Sequence, residues 1–273
     1  MTKRTESAVT NVTGVPAYLA ALQGKGESLA GMAQHRILPK IGVLQGQSEA
    51  KLKEAHGEGA IVLYPSEVCL QGKEEWTLRF QPIFYWKHFE HTSDRRDKSR
   101  PNLVEKTFDP ESELAIRATN KQAREQQYQG QDGKSYTEKW SEVFNFAGYI
   151  LDAKGVGTQL VTLVFKGGEH HQGETFMSSQ MMRTIDGQNP AEIYLTVWEL
   201  SSSRRTYGDD PWWGIDFRIP VNNPWASEME ALRGAEMHKK LKQEFADKLL
   251  GVSQDAEDKE ASGSVEAETS FEE

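Results

Sequence analysis

The segment WGIDFRIPV at residues 213–221 alternates apolar and polar side chains. In an extended chain its apolar residues share one face and its charged residues the other, with Ile215, Phe217, Ile219 and Val221 opposite Asp216 and Arg218. This period of two is typical of a β-strand that buries one face.

Segments rich in β-branched and aromatic residues recur on the N-terminal side of this strand, between glycine and proline residues. They predict further strands at 37–44, 60–70, 76–86, 142–151, 159–165 and 192–201. Asp109-Pro110 is typical of a helix start and predicts a polar helix over about 109–128. A short helix is predicted over about 175–185.

The clearest helix begins after Asn223-Pro224 and ends before Gly251. Its apolar residues fall mostly four apart and predict a stripe that packs on the body: Trp225, Met229, Leu232, Met237, Leu241, Phe245 and Leu249.

Together these elements predict a predominantly β, α+β protein. The specific expectation is an OB-like Greek-key barrel with added helices and a long C-terminal helix. We expect a loosely ordered N-terminal arm at 1–33, a single OB-like nucleic-acid-binding domain at 34–251, and a disordered acidic tail at 252–273.

The acidity of the chain is concentrated at its C-terminal end. The net charge is −9, and eight acidic residues and one basic residue between Asp255 and Glu273 contribute −7 of it, which leaves −2 for the rest. The nearly neutral body is compatible with a nucleic-acid partner. The tail, with Asp255, Glu257, Asp258, Phe271, Glu272 and Glu273, is predicted to recruit replication or recombination proteins or to compete with DNA.

The sequence contains neither a signal-peptide pattern nor an apolar run of membrane-spanning length. Its single cysteine, Cys69, excludes a disulfide framework. We therefore expect an intracellular protein of the host cytoplasm with no membrane partner.

No enzyme motif is present: the sequence has no P-loop and no Gly-x-Ser-x-Gly elbow. Two histidine-containing groups, His88 with His91 and Glu169-His170-His171, were weighed as metal ligands, but adjacent residues on a strand point to opposite faces. The prediction is a protein without catalytic residues, cofactor or metal.

Aromatic and basic residues are interleaved in two regions, as in proteins that stack bases on rings and bind phosphates through cations. The predicted DNA-binding residues are Trp76, Arg79, Tyr85, Trp86, Lys87, Arg95, Arg96, Lys98 and Arg100 in the first region, and Arg204, Arg205, Tyr207, Trp212 and Trp213 in the second. In an extended chain, the pairs Tyr85-Trp86 and Trp212-Trp213 must each point to opposite faces. For any single ring, packing in the core is the alternative.

The segment FMSSQMMR at 176–183, followed by YLTVW at 194–198, Trp213-Gly214 and an acidic tail with Phe271, resembles the single-stranded DNA-binding proteins of bacteriophages. The resemblance covers mainly residues 142–273. It implies an OB barrel, binding of single-stranded DNA without strong sequence preference, and a tail that recruits partners. The tail ends in Phe-Glu-Glu rather than on the aromatic residue, unlike that family.

The leading hypothesis is non-enzymatic binding of single-stranded DNA in replication, recombination or repair, with an affinity that falls steeply with salt. Two alternatives remain: a virion or assembly structural protein whose exposed rings contact other subunits, and a metal-dependent nuclease that would cleave DNA in a chelator-sensitive way.

Overall fold

In the computed structural model, two long antiparallel strands form the centre of a ten-stranded sheet. Strand β4 (Leu78–Thr92) pairs with β7 (Ser135–Leu151), from Arg79 opposite Leu151 to Thr92 opposite Lys139. The register shifts between Pro82 and Phe84. Proline has no N–H to donate to a neighbouring strand. It is tolerated in a central strand at such a bulge, where the regular hydrogen bonding is interrupted.

The structure describes residues 38–46, 48–185, 187–207 and 210–262, with the backbone alone at 207, 210 and 247–262. From Leu38 onward the chain forms one compact unit. The predicted arm at 1–33, and Phe271, Glu272 and Glu273 of the predicted tail, lie outside the described residues.

The remaining strands add to both sides of the central pair. They are β1 (Lys40–Val43), β2 (Ile61–Tyr64), β3 (Val68–Gln71), β5 (Leu103–Thr107), β6 (Glu125–Gln129), β8 (Gly157–Phe165), β9 (Trp198–Tyr207) and β10 (Asp210–Arg218). The sheet order is β10-β9-β4-β7-β8-β1-β2-β3, with β5 on β4 and β6 on β7. All described pairs are antiparallel except β1 with β8.

Within the described residues, four helices accompany the sheet: α1 (Ala50–His56), α2 (Glu113–Thr119), α3 (His170–Met181) and α4 (Glu228–Ser262). Short 3-10 turns at Gly167–Glu169 and Ile193–Leu195 precede α3 and β9. The coarse prediction of a mixed α/β protein built mostly of strands is confirmed.

The sheet curls until its two halves share one core. The largest buried cluster combines Ile41 and Leu63 of β1 and β2 with Leu200 and Ile215 of β9 and β10, around Phe176 of α3. Side-chain hydrogen bonds also join the two halves: Gln71 Nε2 donates to the Leu200 carbonyl at 2.9 Å, and Ser202 Oγ to the Gly59 carbonyl at 2.5 Å.

The helix predicted over 109–128 is shorter and is followed by a strand. Helix α2 starts at Ser112, whose hydroxyl accepts from the Ala115 N–H at 3.2 Å, rather than at Asp109-Pro110. The Gln- and Tyr-containing segment after it forms β6, because the adjacent half of β7 offers an unpaired edge.

The C-terminal helix docks by only part of the predicted stripe: Met237, Leu241 and Phe245 pack on the body, but the first turns of the helix differ. Met229 and Leu232 are 62% and 64% exposed, whereas Glu230 is buried and Gln81 Nε2 donates to its carbonyl at 3.2 Å. At Gly234 the helix passes so close to Tyr194 that a Cβ would lie 3.0 Å from that side chain. The backbone of α4 also continues past Gly251, the predicted end, to Ser262.

The tightest backbone approach in the central pair predicts a stability effect. At position 148 an alanine Cβ would overlap the Gln81 carbonyl oxygen and lie 2.5 Å from the Phe80 ring. We expect Gly148→Ala to lower the free energy of unfolding by about 1–3 kcal/mol in urea denaturation. Gly46→Ala is the control, because its Cβ would make an ordinary contact of 3.5 Å with Glu58. Equal stability of the two variants would contradict the β4–β7 packing.

Candidate nucleic-acid interface

A pocket of about 350 Å³ opens where β1 and β10 face each other across the curled sheet. It exists because β1 pairs with β8 only at Lys40 and Ile41, and β10 pairs only with β9 among the described strands. The pocket is lined by Lys40, Ile41, Gly42, Val43, Gln45, Tyr64, Val164, Phe165, Glu169, Trp213, Gly214 and Ile215.

Two aromatic rings at this pocket lie directly on glycine backbone. A Cβ at Gly42 would be 2.7 Å from the Tyr64 ring, and a Cβ at Gly59 would be 2.7 Å from the Trp213 ring. Both rings are half-buried, so each is held against the protein while part of it stays accessible. Lys73 Nζ lies 5.8 Å from the Trp213 ring centroid, within range of a cation–π interaction.

The polar side chains in the pocket already bind protein groups. The Glu169 carboxylate accepts from Trp212 Nε1 at 3.0 Å and from the Ile215 N–H at 3.1 Å, and it pairs with Arg205 at 3.2 Å. Gln45 bonds both the N–H and the carbonyl of Trp213, at 2.8 and 2.7 Å. These groups therefore fix the shape of the pocket rather than offering free donors and acceptors.

Positive charge gathers at the Lys40 end. Lys166 Nζ lies 3.2 Å from the Glu90 carboxylate, and Lys106 is the cross-strand partner of Glu90. Although Lys40 is an exposed residue, desolvation by the surrounding protein lowers the pKa of its ammonium group, and the charges of Lys166 and Arg95 lower it further against the opposing effect of Glu90. One carboxylate therefore faces several cations, which favours an anionic ligand.

A hydrogen-bonded chain from the protein interior holds Glu90 in place. Burial lowers the pKa of His88, so its neutral ring accepts from Asn145 Nδ2 at 3.0 Å and donates from Nε2 to Glu90 at 2.9 Å. This bond, with the help of Lys166, lowers the pKa of Glu90 to about 2 against its own desolvation. Glu90 therefore stays ionised and positions Lys166.

The predicted opposite orientation of Tyr85 and Trp86 is confirmed. The Tyr85 ring packs on Phe144 and Phe146 of the core, and desolvation, followed by the charge of Glu142, raises its pKa to about 12. The Trp86 ring packs on Phe84 and on Phe245 of α4. Both rings thus have protein partners.

The other predicted residues of the first region are spread from Trp76, just before β4, along that strand and into the loop after it. Four of them have charged or aromatic partners: Trp76 stacks under Arg218, Lys87 pairs with Glu142, Arg96 with Asp94, and Arg100 with Glu138. Arg79 donates to the Asn223 carbonyl. Arg95 and Lys98 are exposed and form no ion pair among the described residues.

In the second region, Trp213 lines the pocket and Trp212 donates to its Glu169 floor. Arg205 is tied to Glu169 and Asp216, whereas Arg204 is exposed. The Tyr207 side chain lies outside the described part.

Sequence reasoning missed Lys40, Tyr64 and Lys166. Each comes from a strand or strand end far from Trp213 in the chain, and no local pattern links them.

No helix in the described ranges is long and apolar enough to cross a membrane.

A family model described as "Pam3 phage gp34-like protein" matches residues 5–244, most of the chain. No curated protein and no solved structure matches significantly.

The depressed pKa of Glu90 predicts an acid-sensitive contribution to stability. Its folded pKa of about 2 lies below its ordinary 4.5, so the contribution is complete above pH 4.5 and is lost as the pH falls towards 2. We expect Glu90→Gln to lower the free energy of unfolding by about 1–3 kcal/mol at pH 7, and by much less at pH 2.5.

Urea denaturation of both proteins between pH 2.5 and 7 measures this difference. Glu54→Gln is the control, because Glu54 is exposed and forms no ion pair with the described residues. A constant difference between wild type and Glu90→Gln at all pH values would refute the assigned role of Glu90.

Proposed function

The chain belongs to the family of Pam3 phage gp34-like proteins, and we propose that within this phage family it binds single-stranded DNA. Binding is non-enzymatic and tolerant of sequence, and it serves DNA replication, recombination or repair. The pocket between β1 and β10 carries this proposal, because it combines two accessible rings with Lys40 on its lining and Lys73 within 5.8 Å of the Trp213 ring centroid.

The ring pair fits a nucleobase. Tyr64 and Trp213 are fixed on glycine backbone, so they lose little conformational freedom when a base stacks on them. A stacked base contributes about 1–3 kcal/mol. The volume of about 350 Å³ falls within the range of about 300–1,000 Å³ that is typical of small-ligand sites, which suits one nucleotide.

The cations fit the phosphates on either side of that nucleotide. Lys40 lines the pocket with Lys166 and Arg95 nearby, and Lys73 lies at the Trp213 ring. A strand that runs from Lys73 past Trp213 to Lys40 would place its base on the rings and its phosphates at these groups.

The occupied hydrogen-bonding groups support sequence tolerance. Reading a base requires free donors or acceptors at its edge, and those of Glu169 and Gln45 are bound to protein. Stacking accepts any base, because every base has a π-face.

The OB-like barrel is the finer fold that we propose for the curled sheet. Its support is the core shared by β1, β2, β9 and β10 and the hydrogen bonds that link its two halves. Partner recruitment by the acidic tail, and action in the host cytoplasm, belong to the same proposal.

A virion or assembly component is the second candidate function, and an exposed apolar surface favours it. Its residues are Met181, Met182, Ile185, Trp225, Met229 and Leu232. The end of α3, with Met181 and Met182, lies next to Trp225, because the Arg183 guanidinium lies 4.4 Å from the centroid of the Trp225 ring and donates to the Pro224 carbonyl. A surface of this kind is typical of contacts between subunits.

Binding of labelled oligo-dT, measured by fluorescence anisotropy, tests the DNA proposal. We expect Trp213→Leu and Lys40→Ala each to weaken binding by about tenfold, through lost stacking and lost phosphate contact. Lys154→Ala is the control, because Lys154 lies in the β7–β8 turn at the opposite end of β8 from Phe165. No binding of wild type at low salt would overturn the proposal and favour assembly, and chelator-sensitive cleavage would favour a nuclease.

Salt dependence tests how many phosphates are contacted. Several arginines of the predicted regions are paired internally, so we count as phosphate contacts of the pocket Lys40, Lys73 and Arg95, which form no ion pair with the described residues. Three contacts predict a slope of log K against log salt of about −2 for a single strand, shallower than the steep dependence expected from the sequence. A slope of about −5 or steeper would show that the protein contacts many more phosphates than those at the pocket.

Trp86 distinguishes packing from DNA contact. Because its ring packs between β4 and α4, we expect Trp86→Leu to lower the melting temperature but to leave oligo-dT affinity within about twofold of wild type. If Trp86→Leu remains folded and loses as much affinity as Trp213→Leu, Trp86 contacts DNA.

A further inference from the structure

Three side chains with metal-binding chemistry converge beside the pocket, outside the groups that line it. Glu142 comes from β7, and His170 and Glu174 come from the first turns of α3. One ligand atom from each lies within 4.8 Å of the others. The chain reaches this cluster directly from the pocket, since Glu169 of the pocket floor precedes His170.

Close packing of α3 on the sheet creates the convergence. A Cβ at Gly173 would lie 2.8 Å from the Phe144 ring and 2.9 Å from the Phe165 side chain, so the helix touches β7 and β8 at this glycine. His170 and Glu174, one turn apart on α3, are thereby brought against Glu142.

The three groups lie close enough to converge on one ion. His170 Nε2 lies 2.8 Å from Glu142 Oε2, and a small side-chain rotation opens this hydrogen bond to the spacing of about 3.4 Å between tetrahedral ligands that are about 2.1 Å from a metal. Glu174 is half exposed and its Oε2 faces the other ring nitrogen, Nδ1, at 3.7 Å, so its carboxylate must rotate towards the Nε2 side to reach the same ion. Lys87 Nζ, at 2.8 Å, holds the other Glu142 oxygen.

We propose that Glu142, His170 and Glu174 bind one divalent transition-metal ion, with Zn²⁺ as the preferred ion. Imidazole combined with carboxylates suits zinc, whereas magnesium prefers oxygen ligands alone. The proposal rests on this geometry and does not depend on DNA binding.

The chemistry of Glu142 is consistent with such a site. Each of its two carboxylate oxygens already accepts a hydrogen bond, one from His170 Nε2 and one from Lys87 Nζ, both at 2.8 Å. Lys87 also competes with a metal for this carboxylate. Metal affinity should therefore rise when Lys87 is removed, an effect that a purely structural ion pair does not predict.

Isothermal titration of the full chain with Zn²⁺, and separately with Mg²⁺, tests the proposal. We expect one zinc site per chain and much weaker magnesium binding. His170→Ala and Glu174→Gln should each weaken zinc binding by at least about tenfold, because even outer-shell partners contribute about 10- to 100-fold. Lys87→Met should tighten it.

His171→Ala is the matched control. His171 is adjacent in sequence, its side chain is 85% exposed, and it lies outside the converging group, although it faces Glu174 at 3.6 Å. Zinc binding should survive this change. The proposal is overturned if zinc does not bind, if His171→Ala costs as much as His170→Ala, or if binding is unchanged in both His170→Ala and Glu174→Gln. Because Glu174 is exposed, Glu174→Gln leaves the core packing unchanged, so a loss of zinc affinity in this variant is not caused by misfolding.

Discussion

The pairing of β4 with β7 is the constraint on which the rest of the structure depends. Every other strand of the sheet attaches to this pair directly or through β8 and β9. Because side chains alternate between faces, a slip of one residue would exchange the core face for the α4 face along the whole ribbon. The register places Tyr85 opposite Phe146 and Trp86 opposite Asn145, and thereby assigns each ring to its side.

The bulge at Pro82 reverses the alternation within β4. Phe80, before the bulge, and Tyr85, after it, both face the large core, although one is even-numbered and the other odd-numbered. A single period of two cannot describe such a strand. As a result Phe84 and Trp86 face α4, where Phe245 covers them, and one strand supplies aromatic residues to two separate layers.

Local patterns predicted what local forces determine: the strand-rich class, most of the strand at 213–221, the C-terminal helix and the opposite orientation of Tyr85 and Trp86. The observed β10 ends at Arg218, however, and Ile219 and Val221, predicted on its buried face, are 49% and 88% exposed. They failed where contacts distant in sequence decide. The α4 stripe passes through Glu230 and Gly234 because Gln81, about 150 residues earlier, binds the Glu230 carbonyl. The pocket was not predictable for the same reason, since Tyr64 and Trp213 come to line one pocket only after the whole sheet has curled.

Charge pairing determines which of the basic residues remain available to a ligand. In the described part of the chain, three of the six predicted arginines form ion pairs: Arg96 with Asp94, Arg100 with Glu138, and Arg205 with Glu169 and Asp216. Only Asp94 lies in the same loop as its arginine, whereas Glu138, Glu169 and Asp216 come from other elements, so a count of basic residues overstates the attraction for phosphate. Lys40 keeps its positive charge available for a different reason. The carboxylate that acts on it among the described residues is that of Glu90, which already binds His88 and Lys166. In the proposed DNA complex, the phosphate contacts therefore depend mainly on a few cations beside the aromatic pocket, rather than on the ion-paired arginines of the two predicted regions.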